Sequence, residues 1–374
     1  MDSARISLII PALNEAENLP LLVPRIDQAL TGRSYEIFIV DDNSHDNTRQ
    51  VCGELSRKYP LTLIVRERPT NGLSGAVLEG ISRATGDIFV VMDADLQHPP
   101  EKLPELIAPI ERDEADFVLG SRYTPGGSTE ETWSLFRRIN SWGATALARP
   151  FAGRTTDPMS GFFALKRQAY TAATRLTPLG YKIGLELMCK TRVQRVKEIP
   201  IHFAARQRGE SKLTLKQQFK YLEHLSRLYD YTFPRASPIF KFVIATVSGW
   251  FVAFAAYIVL LKSNVLPTAT LAPIFAYPFA ILTVAAFHLR YVRTQGEFII
   301  RPHPWVDFWI ISLAEWATCA VISLWVTLRV RALWPVELFA ITFGCATVIR
   351  YILRKELLHD IRGLRREFRY DEWS

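Results

Sequence analysis

Residues 242–261, FVIATVSGWFVAFAAYIVLL, run for 20 positions without a charged side chain. About 20 such residues wound as a helix match the hydrocarbon thickness of a bilayer. Three more stretches follow. Residues 263–287 hold no charge despite Pro267, Pro273 and Pro278, residues 308–328 hold one acid, Glu315, and residues 332–349 hold Glu337. Four such stretches flanked by Trp, Tyr and Arg read as membrane helices rather than as buried helices of a large soluble domain. Basic residues then predict orientation. The loop 288–305 and the tail from Arg350 carry ten Lys and Arg between them, against three on the alternate side: Lys262, Arg329 and Arg331. The positive-inside rule puts both termini in the cytoplasm. Glu315 and Glu337 are costly in lipid, so both are expected to face the helix bundle, against Arg329, Arg331 or a bound lipid.

The preceding two-thirds has another texture. Strand-like runs at 6–13, 35–42, 61–67, 87–95 and 116–122 alternate with helical patterns at 15–30, 47–58, 73–85 and 100–112. Several strands are unbroken Val, Ile, Leu and Phe rows, as expected when both faces of a sheet are covered. Alternation at this spacing predicts an α/β domain with a mostly parallel sheet. The opening MDSARISLIIPALNE does not read as a secretory signal, because its apolar run is only a strand's length and no small-residue cleavage site follows. Cys52, Cys189, Cys319 and Cys345 stand far apart with no C-x-x-C pair, which excludes a disulfide scaffold and a cysteine zinc ribbon. The formal charge of +8 predicts an anionic partner: nucleic acid, anionic lipid or a phosphorylated small molecule.

Between the two textures lies 211–233, in which Leu215, Phe219, Leu222, Leu225 and Leu228 recur at steps of three and four. This reads as an amphipathic helix on the membrane surface, with an ordinary packing helix as the plainer alternative. The expected organisation is a cytoplasmic α/β domain over 1–210, an interfacial region over 211–236, a four-helix transmembrane domain over 237–355 and a basic cytoplasmic tail over 356–374.

The segment VVMDADLQHPPE (90–101) carries the chemistry. Asp93 and Asp95 end an apolar strand, and Gln97 and His98 follow. In open α/β sheets a ligand sits beyond the carboxyl ends of the strands. Two carboxylates at i and i+2 there can hold a hard divalent ion through oxygen, and such an ion usually also bridges substrate phosphates. His98 reads as a loop residue packed beside that site rather than a ligand. Asp41 and Asp42 end a second apolar strand. Lys58, Arg66 and Arg68 read as surface charge, and Glu186 in GYKIGLEL (180–187) as a helix-surface carboxylate, with an acid facing the site as the alternative.

Six segments, PALNEAENL (11–19), VDDNSHDNT (40–48), MDADLQHPPE (92–101), GSRY (120–123), DPMSGFFALKR (157–167) and RQRGESKL (206–213), occur in order. With them residues 1–236 resemble a family 2 glycosyltransferase of GT-A fold, in the polyprenol-phosphate (dolichol-phosphate) mannosyltransferase group. The membrane part is similar to GtrA-like four-helix domains. The resemblance implies that Pro11, Leu13 and Glu15 line the donor-nucleotide pocket, although many relatives have an aromatic residue where Leu13 stands. It implies that Val40 and Asp42 read the nucleoside. Asp93, Ala94, Asp95 and Gln97 match the site for Mg or Mn and the donor diphosphate, with Asp93, Asp95 and Gln97 as the metal set. Arg122, Arg137 and Ser141 match contacts to the acceptor phosphate, with the choice between Arg137 and Arg138 open. Arg206 and Lys212 match a loop closing over the bound phosphates.

The expected activity is inverting transfer of a hexose, mannose from GDP-mannose on the closest resemblance, to a polyprenyl or dolichyl monophosphate. Asp95, Arg122, Arg206 and Lys212 would carry the catalysis. Glucosyl or N-acetylglucosaminyl transfer from a UDP-sugar is an alternative, and so is a sugar-lipid translocator with a non-catalytic binding domain. A processive polysaccharide synthase would carry a Q-x-x-R-W motif, which does not occur. A nucleic-acid binder would show a basic stripe on an aromatic-bearing sheet, whereas the charge here is spread over membrane flanks. Expected partners are therefore a nucleotide sugar, a lipid phosphate and membrane lipids.

Overall fold

The computed structural model describes residues 4–130, 135–153, 155–173, 176–177, 179–191, 193, 195–204, 215–263, 265–266, 268–287, 304–329 and 334–359. The chain divides into two compact units, Met1–Thr232 and Phe233–Ser374.

The first unit is built on a seven-stranded sheet. Its strands are β1 (Ile6–Ala12), β2 (Tyr35–Asp41), β3 (Leu61–Val65), β4 (Ile88–Val91), β5 (Phe117–Ser121), β7 (Phe163–Lys166) and β8 (Val196–Pro200), in the order β3-β2-β1-β4-β7-β5-β8. Two short strands, β6 (Ser128–Thr129) and β9 (His202–Phe203), pair beside it. Only β7 runs antiparallel to its neighbours among the described strands of the large sheet. Within β1, Ile6, Leu8 and Ile10 enter one apolar cluster and Ile9 the other; in β4, Ile88 and Val90 face the first and Phe89 and Val91 the second. This is the period-two alternation of a strand with both faces covered. Helices α1 (Leu19–Ala29), α2 (Thr48–Leu55) and α4 (Leu103–Glu111) cover one face. Helices α3 (Gly72–Arg83), α5 (Leu135–Ala152), α7 (Ile183–Lys190) and α8 (Leu215–Thr232) cover the other. A one-turn helix, α6 (Arg167–Thr171), follows β7.

All the parallel strands end on one edge, and the strand order reverses between β1 and β4. That reversal opens the crevice in which α/β sheets bind ligands. Because β7 runs the other way, the loop before it, 157–162, lies at this same edge.

Helix α8 corrects a one-sided reading of its apolar row. Tyr221, Leu225 and Leu228 are buried in the core of this unit, whereas Phe219 and Leu222 are exposed. Tyr221 Oη donates to the Ala144 carbonyl of α5 at 2.8 Å. So α8 is a packing helix on one side, with apolar residues left on another.

The second unit consists of α9 (Ser237–Lys262), α10 (Ala272–Phe287), α11 (Pro304–Arg329) and α12 (Pro335–His359). Three segments, Ile239–Lys262, Phe308–Val326 and Pro335–Leu353, are long and apolar enough to cross a membrane. The stretch 263–287 contributes a shorter helix, because a 3-10 turn at Ala269–Leu271 precedes α10. Interior positions hold Ala253, Tyr257, Ala276 and Phe343, while Phe251, Val259, Leu313 and Leu328 point outward. A bundle apolar on its outside as well as inside is made for lipid. The unit is a membrane-associated bundle of apolar helices.

The acids of the two apolar stretches 308–328 and 332–349 behave differently. Glu315 is buried, as expected, and its Oε1 lies 3.4 Å from Arg350 Nε, a partner not anticipated from the sequence; Arg331 lies outside the described residues. Glu337 does not face the bundle. It is exposed, and its Oε2 accepts the Trp334 N–H at 2.9 Å, capping the start of α12.

Candidate active site

Strand β1 ends at Ala12, and the chain turns through Asn14 at φ 58°. Strand β2 ends at Asp41 and turns through Asn43 at φ 62°. Asparagine tolerates this left-handed region better than most residues. The two turns then lace together. Asn14 N–H donates to Ser44 Oγ at 2.8 Å, Glu15 N–H to Thr48 Oγ1 at 3.0 Å, and His45 N–H to Asn14 Oδ1 at 2.9 Å. Glu15 also accepts from Asn18 Nδ2 at 2.6 Å, fixing the entry to α1. Pro11 and Leu13 are half-buried at the end of β1, beside buried Val40.

The paired acids at 41 and 42 divide their work. Asp41 is fully buried and accepts from the Ser44 hydroxyl and from Arg49 Nε at 3.2 Å, so it is a turn-builder. Asp42 accepts from Arg66 Nη1 at 2.6 Å. Arg66 also donates to the carbonyls of Gly72 and Thr70. It is therefore a clamp between β2 and the start of α3, not surface charge. Burial pushes the Asp42 carboxyl above its ordinary range, although the Arg66 charge opposes this.

Strand β4 delivers the acidic pair. Asp93 and Asp95 follow Val91, and Ala94 packs into the core between them. Leu96 sits at φ 62°, a conformation seldom adopted by a branched apolar residue and often held where function demands it. The turn brings the Gln97 N–H onto Asp95 Oδ1 at 3.2 Å. Gln97 Nε2 donates to the Ala204 carbonyl at 3.1 Å, so its amide oxygen lies at the other end of the group. His98 is buried, stacks on Phe162 at 5.3 Å between centroids, and accepts the Asp93 N–H on Nδ1 at 3.0 Å. Burial lowers its pKa, so it stays neutral. It shapes the Asp93 turn, in keeping with its reading as a packing residue.

These residues suit a hard divalent ion. Two carboxylates and an amide within five positions are oxygen donors of the type that Mg and Mn take. A Cβ at Gly161 would stand 3.3 Å from Asp93 Oδ2 and 3.4 Å from the His98 ring, so glycine leaves the carboxylate its space. Among the described residues no three His, Cys, Asp or Glu side chains gather as a complete cage. A Mg site of this kind draws its remaining ligands from water and substrate phosphate.

On the far side of β7, Arg122 follows the end of β5. Its Nε and Nη2 donate to the two carboxylate oxygens of Asp157 at 2.7 and 2.8 Å, and its own N–H adds a third bond at 3.1 Å. The guanidinium lies 5.2 Å from the ring centroids of both Tyr123 and Phe203. Asp157 is wholly buried, so the pair is a fixed fork and not a solvated surface charge. Lys182, just before α7, donates to the Met159 carbonyl at 2.6 Å within the same loop. Desolvation, reinforced by the nearby Arg122 charge, lowers its pKa to about 8.

Sequence reasoning missed Asp157 as a partner, Lys182 and Arg66. Asp157 and Lys182 lay inside segments already singled out, DPMSGFFALKR and GYKIGLEL, without a role of their own; no local pattern announces Arg66. Glu186 is corrected outright. It is fully buried, accepting from Thr177 N–H at 2.6 Å and paired with Lys190 at 2.8 Å and His224 Nε2 at 3.1 Å. The side chains of Arg137, Arg138 and Ser141, and all of Arg206 and Lys212, lie outside the described residues.

The chain is similar to known proteins. The family described as glycosyl transferase family 2 matches residues 7–172. Over 248 residues the chain is 45% identical to a protein named dolichol-phosphate mannosyltransferase from Pyrococcus furiosus, covering 66% of this chain and 69% of that one. A protein of the same name from Saccharomyces cerevisiae is 36% identical over 266 residues, covering 68% of this chain and 98% of that one. A crystal structure of glucosyl-3-phosphoglycerate synthase from Mycobacterium tuberculosis, in complex with Mn2+, UDP-glucose and phosphoglyceric acid, aligns with a TM-score of 0.46. It is 20% identical and covers 61% of this chain and 79% of that one.

Proposed function

The chain belongs to the dolichol-phosphate mannosyltransferase family and is a glycosyltransferase of GT-A fold; from that premise we propose that it moves mannose from GDP-mannose to a dolichyl or polyprenyl monophosphate. The observation that carries this reading is the meeting at one sheet edge of Asp93, Asp95 and Gln97 with the fork-held Arg122. One end suits a diphosphate and its ion, the other a second phosphate.

In the proposed reaction an acceptor phosphate oxygen forms the new bond to the anomeric carbon. The bond to the leaving nucleoside diphosphate breaks in line and its electron pair departs with GDP, inverting the configuration. A phosphate monoester has a second pKa near 6 and is already an anion at neutral pH, so no strong general base is required. Arg122 positions this nucleophile and lessens its repulsion from the donor diphosphate. Asp93, Asp95 and Gln97 would hold the Mg or Mn ion, which when bound supplies neutralisation of the charge growing on the diphosphate. Pro11, Leu13, Glu15, Val40 and Asp42 form the nucleoside pocket, the Arg66 clamp holding Asp42. Arg206 and Lys212 are assigned to the phosphates on the sequence pattern, and Arg137 and Ser141 to the acceptor. The loop and tail arginines support a cytoplasmic site with both termini on that side.

Purified protein is incubated with labelled GDP-mannose, UDP-glucose or UDP-N-acetylglucosamine, plus dolichyl phosphate and Mg or Mn. Label entering the organic phase from GDP-mannose alone is the expected result. Transfer only from a UDP-sugar would replace the donor, and transfer from none would overturn the reading. Asp95→Ala should lower turnover by at least about 100-fold, the scale of losing a principal charge-stabilising group. Unchanged turnover in that variant would leave a metal at Asp95 without support.

A further inference from the structure

The buried ion cluster between α7 and α8 has no part in the chemistry described above. Glu186 and Lys190 stand one turn apart on α7 and are 0% and 4% exposed; His224, on α8, is 1% exposed. Glu186 pairs with both, and Lys190 Nζ also donates to Thr177 Oγ1 at 2.9 Å. His224 Nδ1 is buried and meets no hydrogen-bond partner among the described residues. The ring is thus held for the sake of its Nε2 bond to Glu186. Apolar residues of equal volume usually give similar or greater stability than a buried ion cluster, so stability alone does not account for this one. What such a cluster supplies is a single register between the elements it joins.

The register has a destination. Lys182 stands four residues before Glu186, one helical turn toward the site, and its ammonium holds the Met159 carbonyl at 2.6 Å. Two residues away in that loop, Asp157 forks Arg122; two residues the other way, Gly161 abuts Asp93. A slide of α7 along α8 would move Lys182 and, with it, the loop that aims Arg122.

We propose that Glu186 is a positioning residue for the acceptor side of the site, acting through His224 and Lys190 to fix α7 so that Lys182 holds the 157–161 loop and its Arg122 fork in place. The proposal rests on the reading of Arg122 as a contact to acceptor phosphate.

The test compares wild type with Glu186→Ala, His224→Ala and His224→Gln, measuring KM for dolichyl phosphate, KM for the nucleotide sugar, kcat and the melting temperature of each. Glutamine can present an amide N–H near the place of imidazole Nε2, so His224→Gln is the conservative rescue. The expected result is a rise of about tenfold in acceptor KM for both alanine variants, the scale of a sub-ångström misplacement of a binding group. Donor KM should stay within about twofold, and His224→Gln should return close to wild type. A merely structural role would lower the amount of folded enzyme and leave both KM values alone. Acceptor KM unchanged in His224→Ala at equal folded fraction would overturn the proposal, even if Glu186→Ala fails to fold. A wild-type enzyme that transfers no sugar would fail the functional reading itself, a separate outcome visible in the control.

Discussion

Asp157 shows how much one buried side chain can decide. It takes three hydrogen bonds from Arg122 and accepts none of its charge compensation from solvent. Asp157→Ala should leave a guanidinium that is only 13% exposed without its fork, a loss of about 3–5 kcal/mol for breaking a buried pair. Thermal melting of the detergent-purified variant checks this, and acceptor affinity should fall with it. Glu186 makes a pH-dependent contribution. Burial pushes its carboxyl up, but the His224 hydrogen bond and the Lys190 charge outweigh that and hold the pKa down at about 2. A folded pKa below the ordinary 4.5 means the contribution is complete above that pH and disappears as the pH falls toward 2. The stability gap between wild type and Glu186→Gln should therefore narrow between pH 5 and pH 2; a gap independent of pH over that interval would contradict the assignment. The sequence could not announce this residue, because a Glu on a short helix is exposed far more often than buried, and its partner lies on another helix.

At the scale of elements, the regular parts of the α/β unit were legible and the irregular ones were not. β1 to β5 fall within the predicted runs because each is a row of β-branched and aromatic residues bounded by turn signals. β7, the four residues Phe163–Lys166, was not anticipated as a strand: it is short, it is antiparallel, and it directly abuts a one-turn helix. Yet its reversed direction is what carries Asp157 and Gly161 to the site. α8 was legible as a helix but not in its facing, since period alone cannot say which side meets the core and which is left exposed. Close packing gives the prediction that belongs here. A Cβ at Gly80 of α3 would stand 2.5 Å from Ile9 Cγ2 and 3.1 Å from Val40 Cγ2. Gly80→Ala should therefore push α3 off β1 and β2, at a cost of about 1–3 kcal/mol despite alanine's better helix propensity. A melting temperature equal to or above wild type would show that the sheet yields instead. If Val40 lines the nucleoside pocket as proposed, the same shift should weaken donor binding before acceptor binding.

For the whole molecule, a mean hydropathy of +0.07 averages a sheet-based unit of ordinary texture with a bundle whose outward residues are as apolar as its core. The membrane segments were legible in outline from missing charges alone, but what joins them was not. Glu315 of α11 receives Arg350 of α12 at 3.4 Å and the Tyr277 hydroxyl of α10 at 3.2 Å, and the Arg350 guanidinium lies 5.1 Å from the Phe242 ring of α9. One cluster thus touches all four apolar helices among the described residues of the unit. An unpaired charge in an apolar bundle is far more costly than a paired one. Glu315→Leu should therefore lower the melting temperature sharply, on the scale of about 3–5 kcal/mol, because Arg350 is left without its counter-ion. The double variant Glu315→Leu with Arg350→Leu should recover much of that loss, since both charges are then gone and apolar packing replaces them. If the two substitutions simply add, the pair is not coupled and the helices are held by their apolar contacts alone. Sugar transfer by the double variant in detergent should remain near wild type, because the residues assigned to the chemistry all lie in the first unit.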